Sequence, residues 1–118
     1  VKKYELSMVV IFGSMADGKI HTESDVDLAY VRGKELSLKE ELNLRAELMR
    51  IFKREIDLVF IPKASPLLLR EIAVKGRLLY GKKRDFNEMK INSIKKFIDF
   101  EPYFRLREKM LNHNFAET

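Results

Sequence analysis

The stretches MVVIFGS at residues 8–14 and DVDLAYV at residues 25–31 decide the fold of this chain. The first is a short β-branched run that stops at a Gly-Ser pair, which is typical of a buried strand ending in a turn. The second alternates polar and apolar residues at its start, which predicts a strand with one face toward the core. We therefore expect two strands joined by a loop of about ten residues.

A helix is predicted to follow these strands, from residue 38 to about residue 53. The sequence SLKE at residues 37–40 is a capping box, in which the serine hydroxyl and the glutamate carboxylate each satisfy a backbone amide at a helix start. Apolar residues then recur every three or four positions, which predicts one stripe packed against a sheet. The predicted stripe consists of Leu38, Leu42, Ala46, Met49 and Phe52.

Two more strands and a second helix are predicted in the middle of the chain. The run IDLVFI at residues 56–61 is a third strand, ended by a proline that cannot donate to a ladder. A helix opens with Ser-Pro at residues 65–66 and closes at Gly76. Residues 77–80 then predict a short strand at the edge of the sheet.

The segment from residue 85 onward has a helical pattern again. Pro102 is expected to break or kink this helix. The aromatic residues around Pro102 exceed what so small a core can absorb, which predicts an exposed apolar patch near residues 100–104 that contacts a partner. The predicted core stripe of the segment consists of Phe86, Met89, Ile94, Phe97 and Ile98.

These elements predict an α/β (α+β) fold with a small, mixed, mostly antiparallel sheet flanked by helices. The chain has 118 residues, which suits one domain over residues 1–118 with residues 85–118 as a C-terminal helical region. No apolar stretch is long enough to span a membrane and no signal peptide is evident, so we expect a cytoplasmic protein with no membrane contact.

Composition narrows the chemistry that this domain can perform. Cysteine is absent, which excludes disulfides, thiolate metal sites and a cysteine nucleophile. The net charge is +5 and the isoelectric point is about 9.5, yet the sequence has no continuous basic stripe interleaved with aromatic residues. Nucleic-acid binding is therefore the less favoured interpretation of the positive charge.

Three aspartates in apolar strands carry the strongest functional signal. Side chains two residues apart in a strand project on the same side, so Asp25 and Asp27 can bracket a cation. Asp57 lies in another apolar run and completes a triad if that strand pairs beside the second. Hard oxygen ligands of this kind suit Mg²⁺ or Mn²⁺.

The Gly13-Ser14 turn supplies the second half of the signal. A glycine at the end of a strand lets backbone amides approach a phosphate, and the serine hydroxyl adds a donor. Either motif alone is ordinary turn chemistry. A phosphate cradle together with a metal triad predicts phosphoryl or nucleotidyl transfer, in which the protein mainly aligns reactants and neutralises charge.

Gly-Ser, ten residues, Asp-x-Asp and a later Asp in a strand resemble the signature of the DNA polymerase β-like nucleotidyltransferase superfamily. Within it the chain resembles the minimal nucleotidyltransferases, which are antitoxins encoded beside a HEPN-domain toxin. The resemblance implies that Gly13 and Ser14 contact the triphosphate of ATP and that Asp25 and Asp27 ligate two Mg²⁺ ions. It implies that Asp57 binds the second ion and helps to deprotonate the attacking hydroxyl.

The resemblance also implies a biological role. It implies ATP as the donor and adenylylation of a tyrosine on the partner HEPN toxin as the neutralising reaction. The alternative is an antitoxin that neutralises the toxin by binding alone. Since 118 residues leave no room for an acceptor domain, we expect the acceptor pocket to come from a partner or from a second copy in a homo-oligomer. Met15 replaces the basic or aromatic residue that often follows Gly-Ser in relatives.

Overall fold

A computed structural model describes residues 3–13 and 25–116, and gives the backbone alone at residue 104 and residues 112–116. Within these residues four strands form one sheet: β1 (Met8–Phe12), β2 (Val26–Val31), β3 (Ile56–Phe60) and β4 (Arg77–Tyr80), in the order β3-β2-β1-β4. β1 pairs antiparallel with β2 and with β4, whereas β2 and β3 are parallel. The predicted mixed, mostly antiparallel sheet is confirmed, with β4 at an edge.

Three helices connect or follow the strands: α1 (Leu38–Phe52), α2 (Pro66–Lys75) and α3 (Lys83–Ala116). Both predicted N-caps are present. The Ser37 hydroxyl accepts from the Glu40 amide at 3.2 Å, and the Glu40 carboxylate accepts from the Ser37 amide at 3.0 Å. At the start of α2 the Ser65 hydroxyl accepts from the Leu68 amide at 3.2 Å. None of the described helices is both long and apolar enough to cross a lipid bilayer.

The sheet is covered on both faces, and the core is divided accordingly. α2 and α3 pack on one face, where the buried side chains are Met8, Val10, Phe12, Ala29, Ile61, Leu69, Ile72 and Phe86. α1 and the N-terminal segment pack on the other face, over the alternate residues of β1, β2 and β3. Because side chains alternate along a strand, β1, β2 and β3 each contribute to both layers, whereas β4 contributes Leu78 to the α2/α3 layer.

Two strand boundaries differ from the predicted ones by one residue. β2 begins at Val26 rather than Asp25, so Asp25 immediately precedes the strand. β3 ends at Phe60, because a 3₁₀ turn at Ile61–Lys63 with proline at its first or second position takes over there. Proline fits the first turn of such a helix, since its missing amide would have no helical partner there.

The predicted apolar stripe of α1 is wrong in its first half, whereas Met49 and Phe52 pack against the core as predicted. Leu38 and Leu42 are 73% and 54% exposed, whereas Leu44 is only 6% exposed and anchors the helix. α1 has apolar residues on more than one face, so its periodicity fits two orientations. Packing against the sheet selects the face with Leu44, Leu48 and Phe52, which spacing alone did not distinguish.

The prediction for the C-terminal region is partly wrong. α3 continues through Pro102 without a break, since a proline removes only one bond from a long helical ladder. In the predicted core stripe Phe86 is buried as expected, and Ser93, which was not predicted, is buried as well. Ile98 is 59% exposed, because α3 extends past the body of the domain at this point. Tyr103 is 73% exposed, as the predicted apolar patch requires.

Candidate functional site

The parallel pairing of β2 and β3 brings two of the predicted acids side by side. Asp27 and Asp57 are direct register partners in the ladder. Each lies two residues before an apolar side chain that faces α2 and α3, Ala29 in β2 and Val59 in β3. Alternation therefore directs both carboxylates to the α2/α3 face, at the end of the sheet where the apolar core stops.

Gly13 lies directly beside the Asp27 carboxylate. Phe12 is the register partner of Asp27 across the β1–β2 pair, so Gly13 follows at the same end of the sheet. A Cβ built on Gly13 would collide with Asp27 Oδ2 and come within 3.3 Å of Asp27 Cγ, and the backbone φ of Gly13 is +80°. Glycine is needed here on both counts, because a side chain would displace the carboxylate and strain the backbone.

The sequence reasoning predicted a glycine turn at this place but not its contact with Asp27. It assigned the missing Cβ to the approach of a phosphate, whereas the structure shows that the same absence makes room for a carboxylate. The contact depends on the β1–β2 register, and the ten residues between the two motifs do not fix that register. Ser14 lies outside the described residues, so its predicted phosphate contact stays a prediction.

Asp25 is the third predicted acid, and it lies exposed just before β2. The Val26 amide donates to the Glu55 carbonyl at 2.8 Å, which extends the β2–β3 ladder to the residue next to Asp25. The negative charge of Asp25 is close enough to raise the pKa of the Asp27 carboxyl. Among the side chains that the structure describes, in residues 3–13, 25–103 and 105–111, no three carboxylate or imidazole groups gather closely enough to form a ready metal-ligand set.

The electrostatics of the site show that its acids interact. Burial raises the pKa of the Asp27 carboxyl above its ordinary value, the negative charges of Asp57 and Asp25 raise it further, and a hydrogen bond with Asp57 adds to the effect. Two facing carboxylates favour a shared proton or a bound cation over two free charges. The site therefore concentrates negative charge at one end of the sheet.

An arginine of α1 fixes the strand that carries Asp57. Arg45 Nε donates to the Ile56 carbonyl at 2.9 Å, immediately before Asp57. This bond ties the start of β3 to α1 on the other face of the sheet. Sequence reasoning missed Arg45, because a basic residue on a helix is normally solvated and nothing in its spacing points to a strand.

The donor set suits a hard divalent cation. All three acids offer carboxylate oxygens, which Mg²⁺ and Mn²⁺ prefer. Mg²⁺ is commonly held by one or two carboxylates together with substrate phosphates and water, so a complete protein cage is not required. The chemistry of the paired Asp27 and Asp57, with Asp25 nearby, therefore suits a hard divalent cation.

A comparison with protein families agrees with this geometry. A family model described as "Polymerase beta, Nucleotidyltransferase" matches residues 1–85, which include both motifs and all four strands. The chain belongs to the polymerase β nucleotidyltransferase family. The superfamily predicted from the motif spacing is thereby confirmed.

Two relatives of this nucleotidyltransferase chain are proteins called protein adenylyltransferase MntA. The chain is 28% identical to the one from Shewanella oneidensis over 81 residues, which cover 69% of this chain and 58% of that protein. It is 30% identical to the one from Aphanizomenon flos-aquae over 90 residues, which cover 68% of this chain and 60% of that protein. The match spans about three fifths of the length of each curated relative.

Solved structures show that the nucleotidyltransferase fold extends over nearly the whole chain. A crystal structure of a toxin–antitoxin with AMP-PNP aligns with a TM-score of 0.76 at 22% identity, over 94% of this chain and 87% of that one. A structure of tri-AMPylated Shewanella oneidensis HEPN toxin in complex with MNT antitoxin aligns with a TM-score of 0.71 at 19% identity, over 98% of this chain and 89% of that one. The predicted fold class is confirmed by both.

Proposed function

We propose that this nucleotidyltransferase transfers AMP from ATP to a tyrosine hydroxyl of a partner HEPN-type toxin, with release of pyrophosphate, and thereby acts as its antitoxin. The observation that carries the proposal is the register of Asp27 with Asp57 beside Gly13, at one end of the sheet. The names of the two relatives support the adenylyl group as the transferred unit. The AMP-PNP complex and the AMPylated toxin complex of similar fold support ATP as donor and a HEPN toxin as acceptor.

In this proposal the three aspartates hold two divalent cations, Mg²⁺ or Mn²⁺. When bound, the metal neutralises charge on the ATP phosphates and lowers the pKa of an attacking oxygen. Asp25 and Asp27 flank Val26, whose amide is held by the β3 segment, so both carboxylates start from a fixed backbone. Asp57 is the most exposed partner of the β2–β3 pair and is the group we assign to receive the acceptor proton.

The phosphate-binding role belongs to the turn that follows β1. We assign the Gly13 amide to the ATP phosphates, because Gly13 lies directly beside the Asp27 carboxylate and so beside the proposed cations. We assign Ser14 to the same turn as a hydroxyl donor to phosphate. We assign the reaction to the cytoplasm, because ATP is its proposed donor.

The acceptor is a protein in this proposal, and residues 85–118 provide a partner-contacting region of the single domain 1–118. α3 exposes apolar side chains along its second half, among them Tyr103. Exposed apolar surface of this kind is typical of protein interfaces. A hydroxyl presented by a bound partner can reach the acids, because Asp25 and Asp57 are both exposed.

The test is transfer of labelled AMP from ATP to a purified HEPN toxin, followed by the intact mass of the toxin. Asp25→Asn should abolish transfer while the far-ultraviolet circular dichroism stays unchanged, because the fold does not depend on this exposed side chain. Glu35→Gln is the matched control, an exposed acid that follows β2 at the end of the strand opposite Asp27, and its loss should leave the rate unchanged. Undiminished transfer by Asp25→Asn would overturn the assigned site.

A second candidate is an antitoxin that neutralises by binding alone. It is favoured by one observation, that no three acidic or histidine side chains of the described residues form a ready metal-ligand set. The variant in which Asp25, Asp27 and Asp57 are all alanine separates the two candidates. If this variant still neutralises the toxin fully, catalysis is dispensable. If neutralisation is lost while the complex still forms, the transfer reaction is the antitoxin activity.

A further inference from the structure

The second half of α3 projects from the domain. A helix of 34 residues is about 51 Å long at a rise of 1.5 Å per residue, and the longest dimension of the molecule is 53 Å. α3 packs chiefly against α2, which contains only 10 residues and so accompanies the first part of α3 alone. Beyond that part the helix carries Ile98, Tyr103, Leu106, Met110 and Leu111, which are between 47% and 73% exposed.

One side of this projecting segment forms a shallow groove. Six side chains line it, with apolar residues along its floor and charged residues along one rim: Ile98, Glu101, Pro102, Arg105, Leu106 and Lys109. Met110 continues the apolar row, since Ile98, Pro102, Leu106 and Met110 are each four residues apart. Residues with this spacing form one ridge on a helix, and two such ridges interdigitate when helices cross at about −50°.

The ridge is symmetric about residue 104. Ile98 and Met110 lie six residues to either side of it, and Pro102 and Leu106 lie two residues to either side. A twofold axis through this point therefore places each apolar side chain of one helix beside an apolar side chain of an antiparallel copy. Self-complementarity of this kind is what an isologous interface requires.

The charges along the rim are also complementary under this symmetry. The twofold axis brings Glu101 of one copy level with the stretch of the second copy that contains Arg105 and Lys109. Within one chain Glu101 pairs with Arg105, and Lys109 forms no ion pair with the described residues. The antiparallel arrangement gives Lys109 an acidic neighbour in the other copy, whereas a parallel arrangement would set like charges opposite each other.

We propose that this groove of α3 binds a second copy of the chain, so that the protein forms a twofold antiparallel dimer through residues 98–110. The proposal is independent of the transfer reaction. A helix pair of this length buries on the order of 1,000 Å², which is at the low end for a specific interface. The dimer is accordingly expected to dissociate on dilution.

The first test is sedimentation velocity of the purified full chain over a wide range of concentration. The wild type should show a reversible monomer–dimer equilibrium. Leu106→Glu should weaken dimerisation by at least about 100-fold, because symmetry buries the substituted side chain twice at the centre of the groove. Leu111→Glu is the matched control, the same substitution at an exposed leucine on the opposite side of the same helix, and it should dimerise like the wild type.

The second test uses the rim charges in trans. Glu101→Lys and Lys109→Glu should each dimerise more weakly than the wild type, since each places like charges across the interface. An equimolar mixture of the two variants should form heterodimers, because the lysine introduced in one chain then faces the glutamate introduced in the other. A structural effect of either substitution on its own chain would not be rescued by mixing.

Three results would overturn the proposal. They are a wild type that stays monomeric at every concentration, a dimer that tolerates Leu106→Glu, and a mixture of the two charge variants that forms no heterodimer. If the chain alone is monomeric and Leu106→Glu instead abolishes binding of a HEPN toxin, the groove serves that partner and not a second copy. Circular dichroism of each variant shows whether α3 remains helical.

Discussion

Replacing Gly13 by alanine tests how the strand-end turn and the acids depend on each other. The new Cβ would collide with Asp27 Oδ2 and lie within 3.3 Å of Asp27 Cγ and 3.6 Å of Asp27 Cβ. The carboxylate is the free end of a side chain, so it can swing away, and it must move by about 1 Å to reach an ordinary contact distance. The backbone strain of alanine at a φ of +80° costs a further 1–2 kcal/mol or so, by the usual penalty for that region.

We predict that Gly13→Ala lowers the rate of AMP transfer far more than it lowers the stability of the fold. The free energy of unfolding should fall by only about 1–2 kcal/mol, because a side chain rather than backbone gives way. The rate of AMP transfer should fall by about 100-fold or more, since a misplacement of about 1 Å of a catalytic group commonly has this effect. Urea unfolding and transfer of labelled AMP to the partner toxin measure the two quantities on the same preparation.

Two other glycines provide matched controls for the same substitution. Gly33→Ala should change neither property, because nothing lies within 4 Å of a Cβ placed there. Gly81→Ala should lower stability more than Gly13→Ala does, because its Cβ would lie 2.8 Å from the Ser7 carbonyl oxygen at a φ of +119°. Its transfer rate per folded molecule should remain normal. The reasoning is refuted if Gly13→Ala keeps full transfer, or loses it only in proportion to the unfolded fraction.

Three further predictions concern charge, a buried arginine and the phase of α1. Burial and the neighbouring acids raise the folded-state pKa of Asp27, so the metal-free protein should lose stability as pH rises from the ordinary carboxyl pKa through the raised one. Asp27→Asn should remove this loss, so that the variant is more stable than the wild type at neutral pH by about 1 kcal/mol or less and equally stable in strong acid. Thermal unfolding of both proteins across pH measures the difference. Arg32 is 7% exposed and donates to the Tyr4 carbonyl at 2.9 Å and to Glu40 at 3.1 Å, so Arg32→Met should cost about 2–4 kcal/mol in urea unfolding. An unchanged midpoint would contradict that role, and Lys3→Met, in an exposed ion pair, is its control. Leu44→Ala should cost about 2–4 kcal/mol and Leu42→Ala less than about 0.5 kcal/mol, whereas the reverse order would restore the stripe predicted from sequence.

The elements that sequence predicted well are those marked by local chemistry. Ser37 and Glu40 form a capping box whichever way the helix packs, and Ser65 with Pro66 marks a helix start in the same way. β1 stops at Gly13 because the turn needs a positive φ. These signals act within a few residues of the chain, so a single sequence contains them in full.

The errors arise where distant parts of the chain decide the outcome. α1 could bury Leu42 or Leu44 by its own periodicity, and the sheet selects Leu44. Pro102 weakens a helix, but α3 tolerates it because the ladder is long on both sides. Ile98 matches a core stripe in spacing, yet the body of the domain ends before it. Tertiary context overrides local pattern in each case.

Sequence predicted that Asp27 and Asp57 lie on neighbouring strands, but it predicted less of the geometry around them. The apolar surroundings of Asp57 suggested a function, and the register with Asp27 followed once β2 and β3 paired. The contact between Gly13 and Asp27, and the bond from Arg45 to Ile56, depend on the register of β1 with β2 and on the rotation of α1. Neither quantity is encoded in motif spacing.

The central claim is that Asp25, Asp27 and Asp57 form one divalent-cation site that binds the nucleotide. The most direct measurement is a titration of Mn²⁺ into the protein with a non-hydrolysable ATP analogue, in which electron paramagnetic resonance counts free Mn²⁺. The wild type should bind Mn²⁺ in a nucleotide-dependent manner, and Asp27→Asn and Asp57→Asn should each lose this binding. Equal binding by the wild type and by both variants would contradict the claim.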